Sequence, residues 1–166
     1  MGRTAHDMDD VNWRILALLQ ENARISFSEI GRQVGLTSTA VAERVRRLED
    51  ARVVRSYRIV PGDNELGYPI TAFVTVAVHH GGASQLVRLC AELPEVVECH
   101  HVTGEDGYLL RVRATSVPHL EEVVQRLRRV GDPSASIVLS TPIEHKPLAR
   151  PAAKSGGPTQ IRARSA

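Results

Sequence analysis

One stretch of the sequence decides the fold of the first third of the chain: Ser26-Phe-Ser-Glu-Ile-Gly-Arg-Gln-Val-Gly-Leu-Thr-Ser-Thr-Ala-Val-Ala-Glu-Arg-Val-Arg-Arg-Leu-Glu-Asp50. It opens with the capping box Ser26-x-x-Glu29, in which the serine hydroxyl accepts a backbone N–H three residues on and the glutamate reaches back to the serine. This pattern predicts a short helix over residues 27–34. Gly35 then ends the helix, because glycine readily adopts the left-handed conformation found just after helices.

The residues after this turn predict another helix. The hydroxyl side chains of residues 37–39 are favourable N-terminal caps, and an apolar stripe follows at helical spacing, formed by Val41, Val45 and Leu48. Upstream, residues 9–21 show the same apolar periodicity after an aspartate-rich start. Three helices joined by a tight glycine turn are typical of a helix-turn-helix unit.

The third helix turns a polar face with arginines away from its apolar stripe. Arginine pairs with phosphate oxygens and binds O6 and N7 of guanine bidentately, so we predict that this helix enters the major groove of DNA. The alternative is a solvated charged face, because the same composition suits any exposed helix. The candidate DNA-binding residues are Thr37, Ser38, Thr39, Glu43, Arg44, Arg46 and Arg47.

The rest of the chain predicts a second, mixed domain. Residues 53–60 are rich in β-branched side chains and run into Pro-Gly-Asp-Asn, which predicts a strand followed by a hinge. The first strand after the hinge, over 70–78, is apolar on both faces, so we expect both faces to be covered. The order of elements is then βαββαβ, a ferredoxin-like arrangement. Its predicted strands cover 70–78, 96–102, 108–114 and 135–140, and its predicted helices cover 86–93 and 117–130.

The predicted fold class is therefore α+β, with an N-terminal helix-turn-helix domain of winged-helix-like type and a C-terminal βαββαβ domain. We assign 1–52 to the helix-turn-helix domain, 53–66 to the linking strand and hinge, and 67–147 to the βαββαβ domain. Residues 148–166 contain little to bury, and we expect a disordered basic tail.

The net charge of +2 conceals a division along the chain. Residues 1–60 hold ten arginines and eight acidic residues, a net of +2, whereas 61–145 carry a net of −5 and 146–166 a net of +5 with no acidic residue. A basic head, an acidic middle and a basic tail indicate separate roles. The charge of the tail suits nonspecific phosphate binding, although a solubilising tail has the same composition.

The composition, with 42% apolar and 24% charged residues, is that of a globular protein. Two cysteines cannot form a secreted disulfide framework, so we expect a reducing, cytoplasmic compartment with Cys90 and Cys99 both buried. No segment approaches the roughly 18 consecutive apolar residues of a membrane helix, and no signal peptide is expected. The adjacent histidines His100 and His101 point to opposite faces of a strand, so we expect neither a metal site nor a cofactor.

Three separated signatures resemble the Lrp/AsnC, or feast/famine, family of transcription regulators. They are the run 35–49 followed by a strand with Tyr57, the segment 99–108, and the strand residues 136–140. The resemblance covers residues 7–147. It implies a DNA-binding head joined by a strand to a ligand-sensing domain, whose sheets pair into dimers that assemble into tetramers, octamers or larger rings. Small molecules, commonly amino acids, bind between dimers in that family.

The resemblance places the effector site in the loop Gly104-Glu105-Asp106-Gly-Tyr108, with Ser134 and Ser136 as weaker candidates. The loop lacks the aromatic residue of the family pattern Gly-Asp-aromatic-Asp-Tyr and has glycine in place of the second aspartate. Its two acids suit an amino-acid ammonium group, and exposed backbone N–H groups suit the carboxylate. The alternative is a hairpin turn with solvated acids, because glycine and aspartate are common in turns.

A two-fold dimer presents two recognition helices, so we expect double-stranded DNA with half-sites roughly 34 Å apart on a near-palindromic operator. An effector regulates such binding only when it prefers one assembly over another. Two alternatives remain open. One is an enzyme of the same fold similar to sirohaem decarboxylases, although the arginine face of the third helix is not needed for that chemistry. The other is an architectural protein with little sequence preference. No nucleophile–base signature or zinc spacing indicates catalysis.

Overall fold

The computed structural model describes residues 8–79, 81–104 and 107–152. The chain divides into two compact units. One contains the residues up to Ile59 together with those from His145 onward, and the other is Val60–Glu144. Expectations for Glu105, Asp106 and the tail over 153–166 lie outside the described residues.

The first unit contains three helices where the sequence predicts them. Each begins after a residue whose side chain oxygen accepts a backbone N–H of the first turn, which satisfies one of the donors left unpaired at a helix start. The helices are α1 (Asp10–Glu21), α2 (Phe27–Val34) and α3 (Ser38–Asp50), and their N-caps are Asp9, Ser26 and Thr37.

These helices pack through one apolar stripe each. The buried residues are Ile15 and Leu19 of α1, Ile30 of α2, and Val41, Val45 and Leu48 of α3. Burial of one such side chain contributes about 1.5–3 kcal/mol. Because the predicted stripe of α3 is the buried one, its opposite face is left to solvent.

The turn between α2 and α3 depends on two glycines. Gly35 adopts a φ of 74°, in the left-handed region, and its N–H donates to the carbonyl of Gly31. A Cβ at Gly31 would lie 2.4 Å from the carbonyl oxygen of Leu36, which is backbone and cannot swing aside. Only glycine at this position lets the turn approach α2 so closely.

The second unit confirms the βαββαβ order. Its four strands form one antiparallel sheet in the order β2-β3-β1-β4, the arrangement expected of a ferredoxin-like domain. The elements are β1 (Ile70–Val78), α4 (Ala83–Glu92), β2 (Val96–His101), β3 (Tyr108–Ala114), α5 (Val117–Leu127) and β4 (Gly131–Ile137). No helix within the described ranges is long and apolar enough to cross a membrane.

The sheet has one covered face and one open face. On β1, Val74 and Val76 are fully buried in a core shared with Leu86 of α4 and Leu127 of α5. The intervening Phe73 is 42% exposed. The expectation that both faces of this strand are covered is therefore wrong for the single chain, because both helices pack against the same face.

The last strand lies earlier than the sequence predicts. Instead of 135–140 it covers Gly131–Ile137, and the preceding helix ends at Leu127 rather than at 130. Proline at 133 has no N–H to donate to a neighbouring strand, so local pattern does not indicate a strand at this position. β4 is an edge strand, however, and proline is tolerated there because one side of the strand needs no N–H donor.

Residues 53–60 do not form the predicted linking strand. β-Branched residues favour strands, but a strand also needs a neighbour to pair its backbone groups, and none pairs with this segment in the described part of the chain. For the same reason the described residues of the first unit contain no strands that form a wing beside α3.

The two cysteines differ in burial. Cys90, on α4, is buried in the core as expected, whereas Cys99 on β2 is exposed, so the expectation that both are buried is wrong for Cys99. Burial, with a contribution from the neighbouring Cys99, raises the pKa of the Cys90 thiol to about 12. Cys90 is therefore a thiol, and not a reactive thiolate, at neutral pH.

Candidate nucleic-acid interface and sensing loop

The start of α3 exposes three hydroxyl side chains. Thr37 is the N-cap, and its Oγ1 accepts the N–H of Ala40 at 3.2 Å. Ser38 and Thr39 follow in the first turn, and all three residues are exposed. In helix-turn-helix proteins the N-terminal part of the recognition helix reaches the base edges. The structure therefore leaves this end of α3 accessible to a DNA duplex.

The outer face of α3 carries two arginines that share one glutamate. Glu43 lies 3.4 Å from Nε of Arg46 and 3.1 Å from Nε of Arg47, and these arginine side chains are 67% and 65% exposed. Hydrogen bonds from the two guanidinium groups hold the pKa of Glu43 below its usual value. The glutamate carboxylate is therefore ionised at neutral pH and cancels part of the positive charge of the face.

Arg44 has a different environment from Arg46 and Arg47. Its Nη1 donates to Oδ2 of Asp9 at 2.7 Å and to Oδ1 of Asn12 at 3.0 Å. Asp9 also caps α1 by accepting the N–H of Asn12, so Arg44 ties the start of α1 to the middle of α3. This arginine thus positions α3 against α1 within the unit.

The end of α3 is also held in place. The hydroxyl of Tyr57 donates to Oε1 of Glu49 at 2.8 Å. Partial burial and this hydrogen bond raise the pKa of Tyr57 to about 12, so the hydroxyl keeps its proton and remains a donor. The segment that leaves the helix-turn-helix therefore folds back onto the last turn of α3.

The predicted sensing loop joins β2 to β3. Gly104 and Gly107 have φ values of 118° and 70°, and the carbonyl of Gly107 accepts the N–H of Val102 at 2.8 Å. Tyr108 follows as a mostly buried residue whose ring stacks on His101 at 4.8 Å. A backbone hydrogen bond thus joins the two described ends of the loop. The acids Glu105 and Asp106, which carry the predicted chemistry, lie outside the described residues.

Tyr108 and the two candidate serines lie on different faces of the sheet. Tyr108 pairs with Val76, so it lies on the helix-covered face of the sheet. Ser136 pairs with the exposed Phe73, so Ser136 and Ser134 lie on the open face of the edge strand β4.

The histidines do not assemble a metal site in the described part of the chain. His101 stacks on Tyr108, whereas His100 faces Glu98 at 3.1 Å. The described residues hold no cluster of three or more histidine, cysteine, aspartate or glutamate side chains placed to bind a metal ion.

Comparison with protein families shows to which family this two-unit chain belongs. The family model of the AsnC-type helix-turn-helix domain matches residues 8–49, and that of the Lrp/AsnC ligand binding domain matches residues 71–148. The chain belongs to the Lrp/AsnC family. It is thus a helix-turn-helix transcriptional regulator with a ligand-binding domain, as the resemblance in its sequence predicts.

This Lrp/AsnC regulator has relatives of nearly the same length. It is 37% identical to the HTH-type transcriptional regulator Rv2324 of Mycobacterium tuberculosis, over 84% of this chain and 97% of that protein. It is 32% identical to the leucine-responsive regulatory protein of Escherichia coli, over 82% and 88% of the two chains. Among solved structures, the transcriptional regulator NMB0573 of Neisseria meningitidis in complex with L-Met superposes with a TM-score of 0.79 at 27% identity, over 84% and 95% of the chains.

Sequence reasoning missed the contacts that hold the Lrp/AsnC recognition helix in position. Asn12 is a buried polar residue on the apolar side of α1, and no local pattern marks it as a partner of Arg44. Gly31 has a signal, since a glycine inside a predicted helix suggests close backbone approach. The bond between Tyr57 and Glu49 depends on how the chain turns after α3, which periodicity does not encode.

Proposed function

We propose that this regulator binds a near-palindromic operator as a dimer, with α3 of each chain in the major groove. The region 1–52 binds DNA, and the region 67–147 binds the effector and forms the oligomer, a dimer that assembles to a tetramer or octamer. In this proposal the protein acts in the cytoplasm, without catalysis, cofactor or membrane.

The exposed face of α3 is the single observation that carries this proposal. The capped first turn, Arg46 and Arg47 lie on one solvent-facing side of a helix whose other side is fully buried. The terminal nitrogens of both arginines have no other partner among the described residues, because Glu43 engages each guanidinium through Nε. They are available for phosphate oxygens or guanine edges.

DNA-binding measurements with Arg46→Ala and Arg47→Ala test the proposal. Bound genomic fragments identify an operator, and fluorescence anisotropy then compares it with unrelated duplexes. A base-reading arginine contributes about 1–3 kcal/mol of discrimination at one position of the site. Arg88→Ala, an exposed arginine of α4 without an ion pair in the described residues, is the matched control. If both variants bind all duplexes as tightly as the unsubstituted protein does, α3 is not the interface. If both lose the same affinity on operator and unrelated DNA, the result supports architectural binding with little sequence preference.

We propose further that the effector is an amino acid bound at the loop that contains Gly104 and Tyr108. The complex of the Neisseria meningitidis protein with L-Met supports this ligand class. Light scattering and gel shifts with each of the twenty amino acids test it. We expect at least one amino acid to change both the mass of the assembly and the affinity for the operator, with a coupling of about 1–3 kcal/mol. No change in either measurement rejects the proposed sensor role.

A further inference from the structure

Two cysteine side chains meet where α4 packs against β2. In the register of β2 and β3, Cys99 pairs with Leu110, and residues opposite each other in an antiparallel ladder project to the same face of the sheet. Leu110 is fully buried in the core that also contains Cys90, near the end of α4. Cys99 therefore lies on the helix-covered face of the sheet, the face against which Cys90 packs.

The short connection between the two cysteines favours their approach. Residues 91–98 alone separate them in sequence. α4 ends at Glu92, Pro94 cannot continue the helix, and β2 begins at Val96. The end of the helix and the strand that follows it are thus neighbours in the chain as well as in the fold, and a bond between Cys90 and Cys99 closes only a small loop.

The two thiols differ in their access to solvent. Cys99 is exposed, whereas Cys90 is 7% exposed. Burial, the charge of an ionised Cys99 and a side-chain hydrogen bond to Cys99 raise the pKa of the Cys90 thiol to about 12. An oxidant in solution therefore reaches Cys99 first, and Cys90 is held beside it as a protonated thiol.

We propose that Cys99 and Cys90 are a peroxide-sensitive thiol pair that forms a reversible disulfide between β2 and α4. Hydrogen peroxide oxidises the thiolate of Cys99 to a sulfenic acid, and its second oxygen leaves as hydroxide. The Cys90 sulfur then attacks the sulfur of the sulfenic acid. The S–S bond forms, the S–O bond breaks, and the hydroxyl group leaves with the proton of the Cys90 thiol as water.

The reaction reverses when a dithiol reductant supplies two electrons and two protons, which restores both thiols. In a reducing compartment disulfides are usually transient and serve catalysis or redox sensing. The exposed Cys99 and its buried partner match the arrangement of a redox-sensing cysteine beside a resolving cysteine.

The disulfide also lies next to the candidate sensing loop. His101, on the same face of β2 as Cys99, stacks on Tyr108 at 4.8 Å, and the N–H of Val102 donates to the carbonyl of Gly107 at 2.8 Å. A bond from Cys99 to α4 restrains the strand that carries these contacts, so oxidation reduces local opening at this end of β2. Redox state is thus a second input to the effector domain. This consequence rests on the proposed function, whereas formation of the disulfide does not.

Counting free thiols in the full chain before and after treatment with hydrogen peroxide tests the disulfide. Alkylation in denaturant should modify two cysteines before treatment and none after it, and dithiothreitol should restore both. We expect mass spectrometry of the digested protein to find the peptides of Cys90 and Cys99 joined. A non-reducing gel should show the mass of a single chain.

Two variants assign the roles of the thiols. Cys90→Ala keeps the exposed thiol but removes the one that resolves it, so dimedone should trap more sulfenic acid on Cys99 than in the unsubstituted chain. Cys99→Ser is the matched control, in which we expect the buried Cys90 to stay reduced. Thermal unfolding checks that both variants remain folded.

The possible outcomes separate the disulfide from its effect on the loop. If peroxide leaves two free thiols, or joins Cys99 of two different chains, the thiol pair is rejected. Hydrogen exchange measured by NMR should be slower at the Val102 amide in the oxidised protein than in the reduced one. If the bond forms but this exchange is unchanged, the disulfide is retained and its coupling to the loop is rejected. None of these measurements uses DNA, so their result does not depend on operator binding by α3.

Discussion

At the scale of single residues, Glu43 limits the attraction of α3 to DNA in the proposed complex. Its carboxylate faces the same side as the two arginines and is ionised at neutral pH. A duplex phosphate near Arg46 or Arg47 must therefore compete with Glu43, and the carboxylate itself repels the phosphate. Exposed ion pairs are weak, so this competition is modest for each arginine.

We expect Glu43→Gln to raise affinity for DNA about 3- to 10-fold, the effect of removing two such exposed pairs. The gain is similar for operator and unrelated duplexes, so the ratio between them does not rise. Anisotropy at constant salt measures both affinities. A loss of operator affinity would instead indicate that Glu43 accepts a hydrogen bond from a base, such as the N4 amine of cytosine.

Asp9 links the stability of the first unit to pH. The hydrogen bonds from the Asn12 backbone and from Arg44 hold the pKa of Asp9 below its ordinary value of 3.8. Because the folded state depresses this pKa, the charge of Asp9 stabilises the fold above about pH 4. The stabilisation disappears as the pH falls through the lower pKa of the folded state.

Asp9→Asn tests this linkage, because asparagine caps a helix as well as aspartate does but carries no charge. We expect the variant to unfold with a free energy lower by about 1 kcal/mol or less at pH 7, as for a partly exposed ion pair. Urea unfolding should show this difference shrinking towards zero as the pH is lowered below 3.8. If the difference in unfolding free energy stays constant down to pH 2, the packing or hydrogen-bond geometry of the side chain, and not its charge, causes the loss of stability.

At the scale of elements, the sequence predicts the three helices of the first unit better than it predicts residues 53–60 and the last strand. The bounds of α1, α2 and α3 follow from caps and apolar periodicity, which are local in sequence. The conformation of residues 53–60 and the bounds of β4 depend instead on pairing partners far along the chain or outside it. A proline at 133 ends most strands, and only the edge position of β4, a property of the whole sheet, makes it acceptable there.

The turn between α2 and α3 contains two glycines whose substitution by alanine should lower the free energy of unfolding by different amounts. Gly31→Ala forces a Cβ against the carbonyl of Leu36, so we expect the free energy of unfolding to fall by about 3 kcal/mol, at the upper end for overpacking. Gly35 has open space around the position of a Cβ, and Gly35→Ala costs only its left-handed φ, about 1–2 kcal/mol. Chemical unfolding of both variants shows which one loses more stability. Equal losses would show that the turn opens to relieve the clash.

At the scale of the whole molecule, the candidate sites differ in how far the sequence predicts them. The outer face of α3 is a property of one helix, so its exposed residues follow from the position of the apolar stripe. The candidate effector residues come from two segments, 104–108 and 134–136, of a domain whose strand order is not sequential. Sequence reasoning names Tyr108 and Ser136 but does not place them on opposite faces, because that depends on the pairing of β1 with both neighbours.

The open face of the sheet leads to the last prediction. Phe73 lies in its middle, between Arg111 of β3 and Ser136 of β4, and is 42% exposed in the single chain. An antiparallel sheet with a partly apolar open face is suited to pairing with another copy, as proposed for the dimer. A glutamate at this position would place a charge in such an interface, and the neighbouring Arg111 already pairs with Glu98, so the burial would be unfavourable.

We expect Phe73→Glu to shift the assembly to monomers, which light scattering measures. The variant should also bind the operator much more weakly while its affinity for a single half-site changes little, because the two α3 helices are no longer held together. The matched control is Val117→Glu, an exposed apolar residue at the start of α5, where an acid suits the helix dipole. The control should keep the mass and the operator affinity of the unsubstituted protein. If Phe73→Glu also keeps both, the open face of the sheet is not the dimer interface, and the subunits associate through another surface.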